Sequence, residues 1–230
     1  FLEILPLFSG ARVSSGATHT VLTPGRQAHA ILVDEHQEQV LIIEEAPRVV
    51  TRSLAVSSGA SDSIPLLELQ GQQISTVSRM VREPTIALGT RQGEVWIGAV
   101  RLHTVFEGTE RTIQADVEPE FMVQATPGVP LERISYARDG DHALLAAIVA
   151  QGARVILTRL QLHEPLIGSP RRGLESEPLP LPLHEQATTI LVNERADQVL
   201  VGTSAGTLLR WRVPRESEPV LLETIEALPG

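Results

Sequence analysis

Short runs of aliphatic and β-branched residues alternate with polar turns along most of this chain. From Ala28 the order is strand "AHAILV", polar turn "DEHQEQ" and strand "VLIIEE". A second copy runs through "ISTVSRMV", "TIALG" and "EVWIGAVRL", and two further copies begin at "LERISYA" and at "ATTILVN". Runs of this kind between Gly, Asp and Asn are typical of consecutive antiparallel hairpins. The pattern therefore predicts strands and turns, and no helix.

The last of these runs shows which side of a strand faces water. Leu209, Trp211 and Val213 alternate with Arg210 and Arg212. Because successive side chains of a strand point to opposite faces, three apolar groups share one face and both guanidinium groups share the other. We predict a strand with one buried and one solvated face.

A phrase that occurs twice gives the period of the pattern. Gly-Thr-x-x-Gly ends at Gly93 in "IALGTRQGEVWIGAV" and at Gly206 in "VLVGTSAGTLLRWRV", and Gly152 of the third copy lies between them. The spacing of these glycines is about 50 to 60 residues, slightly longer than the blades of WD and kelch propellers, which would leave room for long loops. We expect the three glycines at equivalent turns between inner strands, where a positive φ is required.

The repeat predicts an all-β, β-propeller-like fold with WD-like four-stranded blades. About four blades are recognisable, and they form either a complete small propeller or an incomplete part of a larger one. The alternative is a sandwich of unrelated hairpins, which predicts no constant spacing.

Composition narrows the classes of function. The 230 residues carry a net charge of −9, with 42% hydrophobic, 3% aromatic and no cysteine residues. An acidic chain is a poor partner for nucleic acid, and the lack of cysteine excludes disulfides and thiolate metal sites. No apolar run approaches the ~20 residues of a membrane span, and the N-terminus lacks the basic residues that open a signal peptide. We expect the chain as given to be soluble and not to bind nucleic acid.

Candidate chemistry is sparse. No histidine pair has the spacing of a zinc-binding helix, and Gly-Thr-x-x-Gly lacks the Lys-Ser/Thr of a phosphate-binding loop. No Gly-x-Ser-x-Gly nucleophile motif occurs. We therefore predict no enzyme activity, no catalytic residue, and no cofactor or metal site. The seven histidines are His19, His29, His36, His103, His142, His163 and His184.

Two groups of carboxylates receive structural interpretations. Asp139 and Asp141 flank Gly140 and faintly resemble a calcium loop, but the third oxygen ligand and the distal Glu are missing, so a hairpin turn is predicted. Glu44 and Glu45 are adjacent, which in a strand places them on opposite faces. We predict that both are surface charges.

The segment from Glu164 to Glu185 carries five prolines. We expect a mobile loop that leads into an extended edge strand, because proline cannot donate to a central ladder. Arg171 and Arg172 lie in this segment beside Ser169, where they are either an anion-recognition pair or simply solvated.

The start of the chain resembles a known family. In "FLEILPLFSGARV" the matching residues are Leu5, Pro6, Leu7, Phe8, Gly10, Ala11 and Val13. The segment is similar to the end of the first membrane helix, and the step out of it, in the large PstC-like permease of bacterial phosphate ABC transporters. The segments "IALGTRQGEVWIGAVRL", "VQATPG" and "VLVGTSAGTLLRWRV" are similar to hairpins of that family's periplasmic insertion.

The resemblance implies residues 1–13 as a helix end and membrane-proximal stalk, and residues 14–230 as a propeller-like periplasmic domain truncated at its C-terminus. The parent protein would be embedded in the bacterial inner membrane, while this chain lacks the transport pore. No functional residue is carried over onto this chain.

Two classes of function follow. The first is a non-catalytic domain that regulates phosphate uptake by contacting transporter subunits or the periplasmic phosphate-binding protein. Its only candidate docking residues are the basic pairs Arg210 with Arg212 and Arg171 with Arg172, for which a solvated surface is the alternative. The second is a calcium-dependent propeller enzyme of the lactonase or esterase kind, with ligands from several blades. An unrelated scaffold propeller differs from the first only in lacking the membrane connection.

Overall fold

A computed structural model describes residues 28–33, 39–53, 61–80, 83–108, 110–163, 171–182 and 185–226. The predicted stalk at residues 1–13 lies outside them. No helix in the described ranges is long and apolar enough to cross a membrane.

The described strands form four antiparallel sheets, each of four strands in sequence order. Sheet 1 contains β1 (Ala28–Val33), β2 (Gln39–Glu44), β3 (Arg48–Ser53) and β4 (Ser61–Pro65). Sheet 2 contains β5 (Ile74–Arg79), β6 (Thr85–Thr90), β7 (Glu94–Glu107) and β8 (Glu110–Gln124). Sheet 3 contains β9 (Leu131–Asp139), β10 (His142–Val149), β11 (Arg154–His163) and β12 (Arg171–Leu179). Sheet 4 contains β13 (Ala187–Val192), β14 (Gln198–Thr203), β15 (Thr207–Arg212) and β16 (Val220–Glu226).

These sheets confirm the predicted four-stranded blades. One 3-10 turn, Leu67–Leu69, is the only helical element in the described ranges. The predicted faces of β15 are also confirmed, since Leu209, Trp211 and Val213 are buried whereas Arg212 is exposed and Arg210 is half-buried.

The three predicted glycines lie at equivalent turns, each between the second and third strands of a sheet. Gly93, Gly152 and Gly206 have φ values of 84°, 78° and 79°, in the left-handed region that favours glycine. The loops differ in length, because the last paired residues around Gly152 are Val149 and Arg154. Residues 150–153 form this loop, which is one residue longer than the loop of residues 204–206 in sheet 4. The third strand of sheet 3 therefore begins one residue later relative to its turn glycine.

The first glycine of Gly-Thr-x-x-Gly is explained by a close contact and not by a positive φ. Gly89 lies opposite Thr76 and Gly202 lies opposite Thr189, each pair next to a bulge in the inner strand. A Cβ atom on either glycine would approach the threonine Cγ2 to 2.6 Å. In these two sheets the glycine thus leaves room for the threonine methyl group. The bulge alone does not require glycine, because in sheet 3 the same bulge places Ile148 opposite Arg133.

The chain divides into two compact units. One contains the described residues up to Gly71 together with Leu102–Ala115, and the other contains Gln72–Arg101 and the chain from Asp116 onward. In the second unit sheet 3 lies between sheets 2 and 4, and an aliphatic core fills each interface. This stacking buries both faces of β10, whose eight residues are all buried.

Candidate functional site

A cleft of about 190 Å³ lies on sheet 3 beside the β15–β16 connection, residues 213–219. It is lined by His142, Arg159, Gln161, Leu174, Glu175 and Arg215. Two of these side chains, His142 and Arg159, are buried although they are polar. Buried ionisable groups in a cleft are the usual starting point in a search for function.

Arg159 lies on β11 and points toward sheet 4. Its Nε donates to the carbonyl oxygen of Pro214 at 3.0 Å, and its Nη2 donates to the carbonyl oxygen of Ser217 at 2.7 Å. Nη1 forms an ion pair with Glu177 on the neighbouring strand β12. The guanidinium thus replaces its lost hydration with three acceptors, which allows a charged group to be 5% exposed.

His142 is the first residue of β10 and is 4% exposed. Its Nε2 lies 3.2 Å from the carbonyl oxygen of Ala196 in the β13–β14 turn. A carbonyl only accepts, so Nε2 carries the proton. Burial lowers the pKa of His142, and the bond to Ala196 opposes this effect without cancelling it. The neutral ring is therefore favoured, and it joins sheet 3 to sheet 4.

The rim of the cleft is solvated. Gln161, Leu174, Glu175 and Arg215 are exposed. The six lining side chains include no hydroxyl or thiol nucleophile beside the imidazole. Within the described ranges no three His, Cys, Asp or Glu side chains are grouped so that they could hold a metal ion. The buried polar groups of the cleft thus bind backbone carbonyls of sheet 4.

The candidate basic residues are divided between two sheets. Arg210 and Arg212 lie on β15, where Arg210 donates through Nε to Gln198 at 3.0 Å and its Nη1 lies 3.6 Å from Glu223. Arg171 and Arg172 begin the edge strand β12 opposite His163 and Leu162. Their predicted position in a loop is therefore wrong, because pairing with β11 extends the strand to Arg171. The two arginine pairs therefore lie on different sheets.

The carboxylate interpretations have different outcomes. Gly140, with a φ of 63°, lies in the β9–β10 turn between two exposed aspartates, so the predicted hairpin turn is confirmed. The surface position predicted for Glu44 is wrong. Glu44 is 4% exposed, and Arg48 binds it with Nη2 at 2.6 Å, because the bend after β2 brings the two side chains together.

Arg159 and the structural role of His142 were not predicted from the sequence. The signal for Arg159 is a charged residue inside the aliphatic strand "ARVILTRLQL". His142 was visible only as one of seven scattered histidines. Both residues are bound to backbone carbonyls of sheet 4, which no side-chain motif reveals.

Comparison with known proteins supports the fold. The structure resembles the crystal structure of the Myceliophthora thermophila Cps50 (Swd1) β-propeller domain, with a TM-score of 0.56, 14% identity, and coverage of 91% of this chain and 58% of that one. It also resembles the periplasmic gluconolactonase PpgL of Pseudomonas aeruginosa, with a TM-score of 0.54, 12% identity, and coverage of 88% and 55%.

This chain therefore spans somewhat more than half the length of the solved structures it matches. No family model and no curated protein matches it. At these identities the likeness concerns the fold, which is a β-propeller-like array of four-stranded blades.

Proposed function

We propose that this chain is a non-catalytic, protein-contacting propeller domain of a bacterial phosphate ABC-transporter permease. The domain faces the periplasm, and its parent protein lies in the inner membrane. The support for the transporter is the similarity of Leu5–Phe8, Gly10, Ala11 and Val13 to the permease family, together with the similar blade hairpins.

The proposal that the domain is non-catalytic is supported by the hydrogen bonds of the buried polar side chains in the cleft. Arg159 is bound to Pro214, Ser217 and Glu177, and His142 is bound to Ala196. A catalytic acid or base must reach the substrate, and a phosphate site needs several converging donors. Here the donors of the buried side chains point at the protein's own backbone and at Glu177. The cleft therefore supports a role in holding sheets together.

The proposed partners are the other transporter subunits and the periplasmic phosphate-binding protein. A net charge of −9 disfavours direct capture of phosphate at long range, although salt screens this effect beyond ~8 Å. Regulation by protein contact requires no phosphate site in this domain.

The decisive experiment deletes the domain from the full permease and measures phosphate uptake across a range of phosphate concentrations. We expect altered uptake or regulation, with the pore still folded and inserted. Unchanged uptake at all concentrations would remove the proposed role. Calorimetry of the purified domain with phosphate is expected to show no saturable heat, and a micromolar site would contradict the proposal.

A propeller enzyme is the second candidate function, and the similarity to a gluconolactonase structure is the observation that favours it. Its test is hydrolysis of gluconolactone by the purified chain with and without added calcium. We expect the rate to equal that of the buffer alone. A calcium-dependent rate that Arg159→Met leaves unchanged would favour an enzyme whose site is not this cleft.

A further inference from the structure

Sheet 4 has one face toward sheet 3 and one face directed away from it. We call the second the outer face of sheet 4. It includes Leu191, Leu200, Leu208, Arg210, Arg212, Glu223 and Ile225. Leu191 is 57% exposed and Ile225 is 43% exposed.

The apolar residues of this face are neighbours. Leu191 is paired with Leu200 across β13 and β14, and Leu208 is paired with Ile225 across β15 and β16. Directly paired side chains on one face of a sheet are in contact range. The outer face thus carries one aliphatic pair on its first two strands and one on its last two, and Leu200 and Leu208 are diagonal neighbours between them.

The face of sheet 3 that sheet 4 covers shares part of this pattern in its outer two strands. On that face Val155 is paired with Leu179. This pair has the same place in sheet 3 as the pair Leu208–Ile225 has in sheet 4. Leu157 is paired with Glu177, at the positions of Arg210 and Glu223. An aliphatic pair followed by a glutamate on the fourth strand therefore occurs on both faces.

The buried arginine of the covered face also has a counterpart. The inner-strand bulge places Ile148 opposite Arg133 in sheet 3 and Gly202 opposite Thr189 in sheet 4. Four residues before Ile148 on β10 lies Leu144, which is paired with Arg159. Four residues before Gly202 on β14 lies Gln198, which is paired with Arg212. Arg212 is thus the register equivalent of Arg159, and it is exposed.

The difference between the two arginines lies in what covers them. Arg159 is buried because the β15–β16 connection of sheet 4 lies over it and presents the carbonyls of Pro214 and Ser217. The corresponding connection of a further sheet, stacked in the same way on sheet 4, would present its carbonyls to Arg212.

We propose that the outer face of sheet 4 is a docking surface for a further four-stranded sheet of the same polypeptide, and that Arg212 binds the backbone carbonyls of that sheet's outer connection. The interface continues the stacking that already joins sheet 2 to sheet 3 and sheet 3 to sheet 4. The matched solved structures extend well beyond the part that this chain covers. The proposal is independent of the transporter assignment.

Several positions of the new interface differ from those of the older ones. Arg210 stands at the position of Leu157 and Gln198 at that of Leu144, and the inner strand differs as well. Ser78 accepts a bond from the amide of Tyr136 at 3.1 Å, and Ser135 accepts one from the amide of Val192 at 2.8 Å. The equivalent residue on β13 is Leu191, which has no acceptor. The docked sheet therefore makes an apolar contact at this position of its inner strand.

The test uses single cysteines, since the chain has none. Leu208→Cys is placed on the outer face, Val155→Cys on the covered face of sheet 3, and Ala205→Cys in the exposed β14–β15 turn. Maleimide labelling rates are measured in the 230-residue chain and in the full-length natural protein, and light scattering gives the mass of the former.

In the 230-residue chain we expect a monomer in which Leu208→Cys reacts within about tenfold of Ala205→Cys, while Val155→Cys reacts about 100-fold more slowly. In the full-length protein the rate at Leu208→Cys is expected to fall about 100-fold, and Arg212→Ala should restore part of it. Ile225→Cys provides the same readout if Leu208→Cys does not fold.

Fast labelling of both outer-face cysteines in the full-length protein would overturn the proposal. A dimeric 230-residue chain with slow labelling at Leu208→Cys would also overturn it, because a second copy would then be the occupant.

Discussion

The two faces that point in the same direction from sheets 3 and 4 share a register pattern but differ in their surroundings. On sheet 3 the aliphatic residues are buried and Arg159 is 5% exposed with three acceptors. On sheet 4 the equivalent Arg212 is exposed, and Leu191 is 57% exposed. The alternation of side chains along a strand therefore determines which residues share a face. Whether those residues are buried, and whether an arginine among them finds hydrogen-bond acceptors, depends on the neighbouring sheet.

The largest expected difference between the faces comes from truncating one leucine on each. Leu157 on β11 is fully buried against sheet 4, whereas Leu208 on β15 is only partly buried. We expect Leu157→Ala to lower the free energy of unfolding by about 2–5 kcal/mol, because it removes buried methyl groups and leaves a cavity. Leu208→Ala should cost less than about 1 kcal/mol. Urea unfolding of the 230-residue chain measures both, and equal losses would break the comparison.

The two Gly-Thr-x-x-Gly turns give the next largest difference. A Cβ atom on Gly93 would lie 1.6 Å from the carbonyl oxygen of Thr126, whereas nothing lies within 4 Å of one on Gly206. Both glycines have positive φ. We expect Gly93→Ala to cost about 2–4 kcal/mol from strain and overpacking together.

Gly206→Ala should lower the free energy of unfolding by only about 1–2 kcal/mol, which is the cost of a positive φ for alanine. Gly206→Asn should recover part of that loss, since asparagine tolerates this region. Thermal unfolding monitored by circular dichroism checks the order of the three variants. A larger loss for Gly206→Ala than for Gly93→Ala would contradict the covered position of the Gly93 turn.

The sequence predicts those features of the two faces that depend on residues close together in the chain, and it does not predict those that depend on residues far apart. The strand positions and the glycine turns follow from alternation and from positive φ, which are local properties. The environment of Arg159 depends on carbonyls 55 and 58 residues later in the chain. The start of β12 at Arg171 depends on pairing with β11. These features could not be predicted because strand pairing and sheet stacking decide them.

The sequence also failed at Glu44 for a physical reason. Glutamate is usually exposed, so surface charge was the natural prediction. The bend at residues 45–47 returns the chain and places Arg48 against Glu44. A glutamate at the end of a strand thus becomes buried through a partner four residues away.

A smaller effect is expected from the arginine–glutamate pairs. Arg159→Met leaves Glu177 and the carbonyls of Pro214 and Ser217 without their donor, so we expect a loss of about 1–3 kcal/mol. Arg101 forms a pair with Glu118 in which the side chains are 53% and 55% exposed. Arg101→Met should therefore cost only about 0–1 kcal/mol. Chemical denaturation measures both, and an equal cost would show that the contacts of Arg159 with sheet 4 add no stability.

The smallest expected effect is the pH dependence from His142. Burial lowers its pKa below the ordinary value of 6.5, so the unfolded chain binds the proton more readily than the folded chain. Stability is therefore present above pH 6.5 and is lost as the pH falls from 6.5 toward the folded pKa. His142→Gln keeps a donor for Ala196 but does not titrate, and it should flatten this part of the stability curve. The same substitution at the exposed His103, His103→Gln, serves as the matched control.

The stacking of sheets in the second unit also sets the order in which the molecule opens. Each sheet is formed from one continuous stretch of chain, and sheet 3 has a neighbour on both faces. In such an array stability is approximately a sum of terms within repeats and between nearest neighbours. The amide hydrogens of β16, whose seven residues are all exposed, should therefore exchange with solvent first, and those of β10 should exchange last. Sheet 4 then acts as the fraying end of a short one-dimensional polymer, whose cooperativity grows with each sheet that stacks on it.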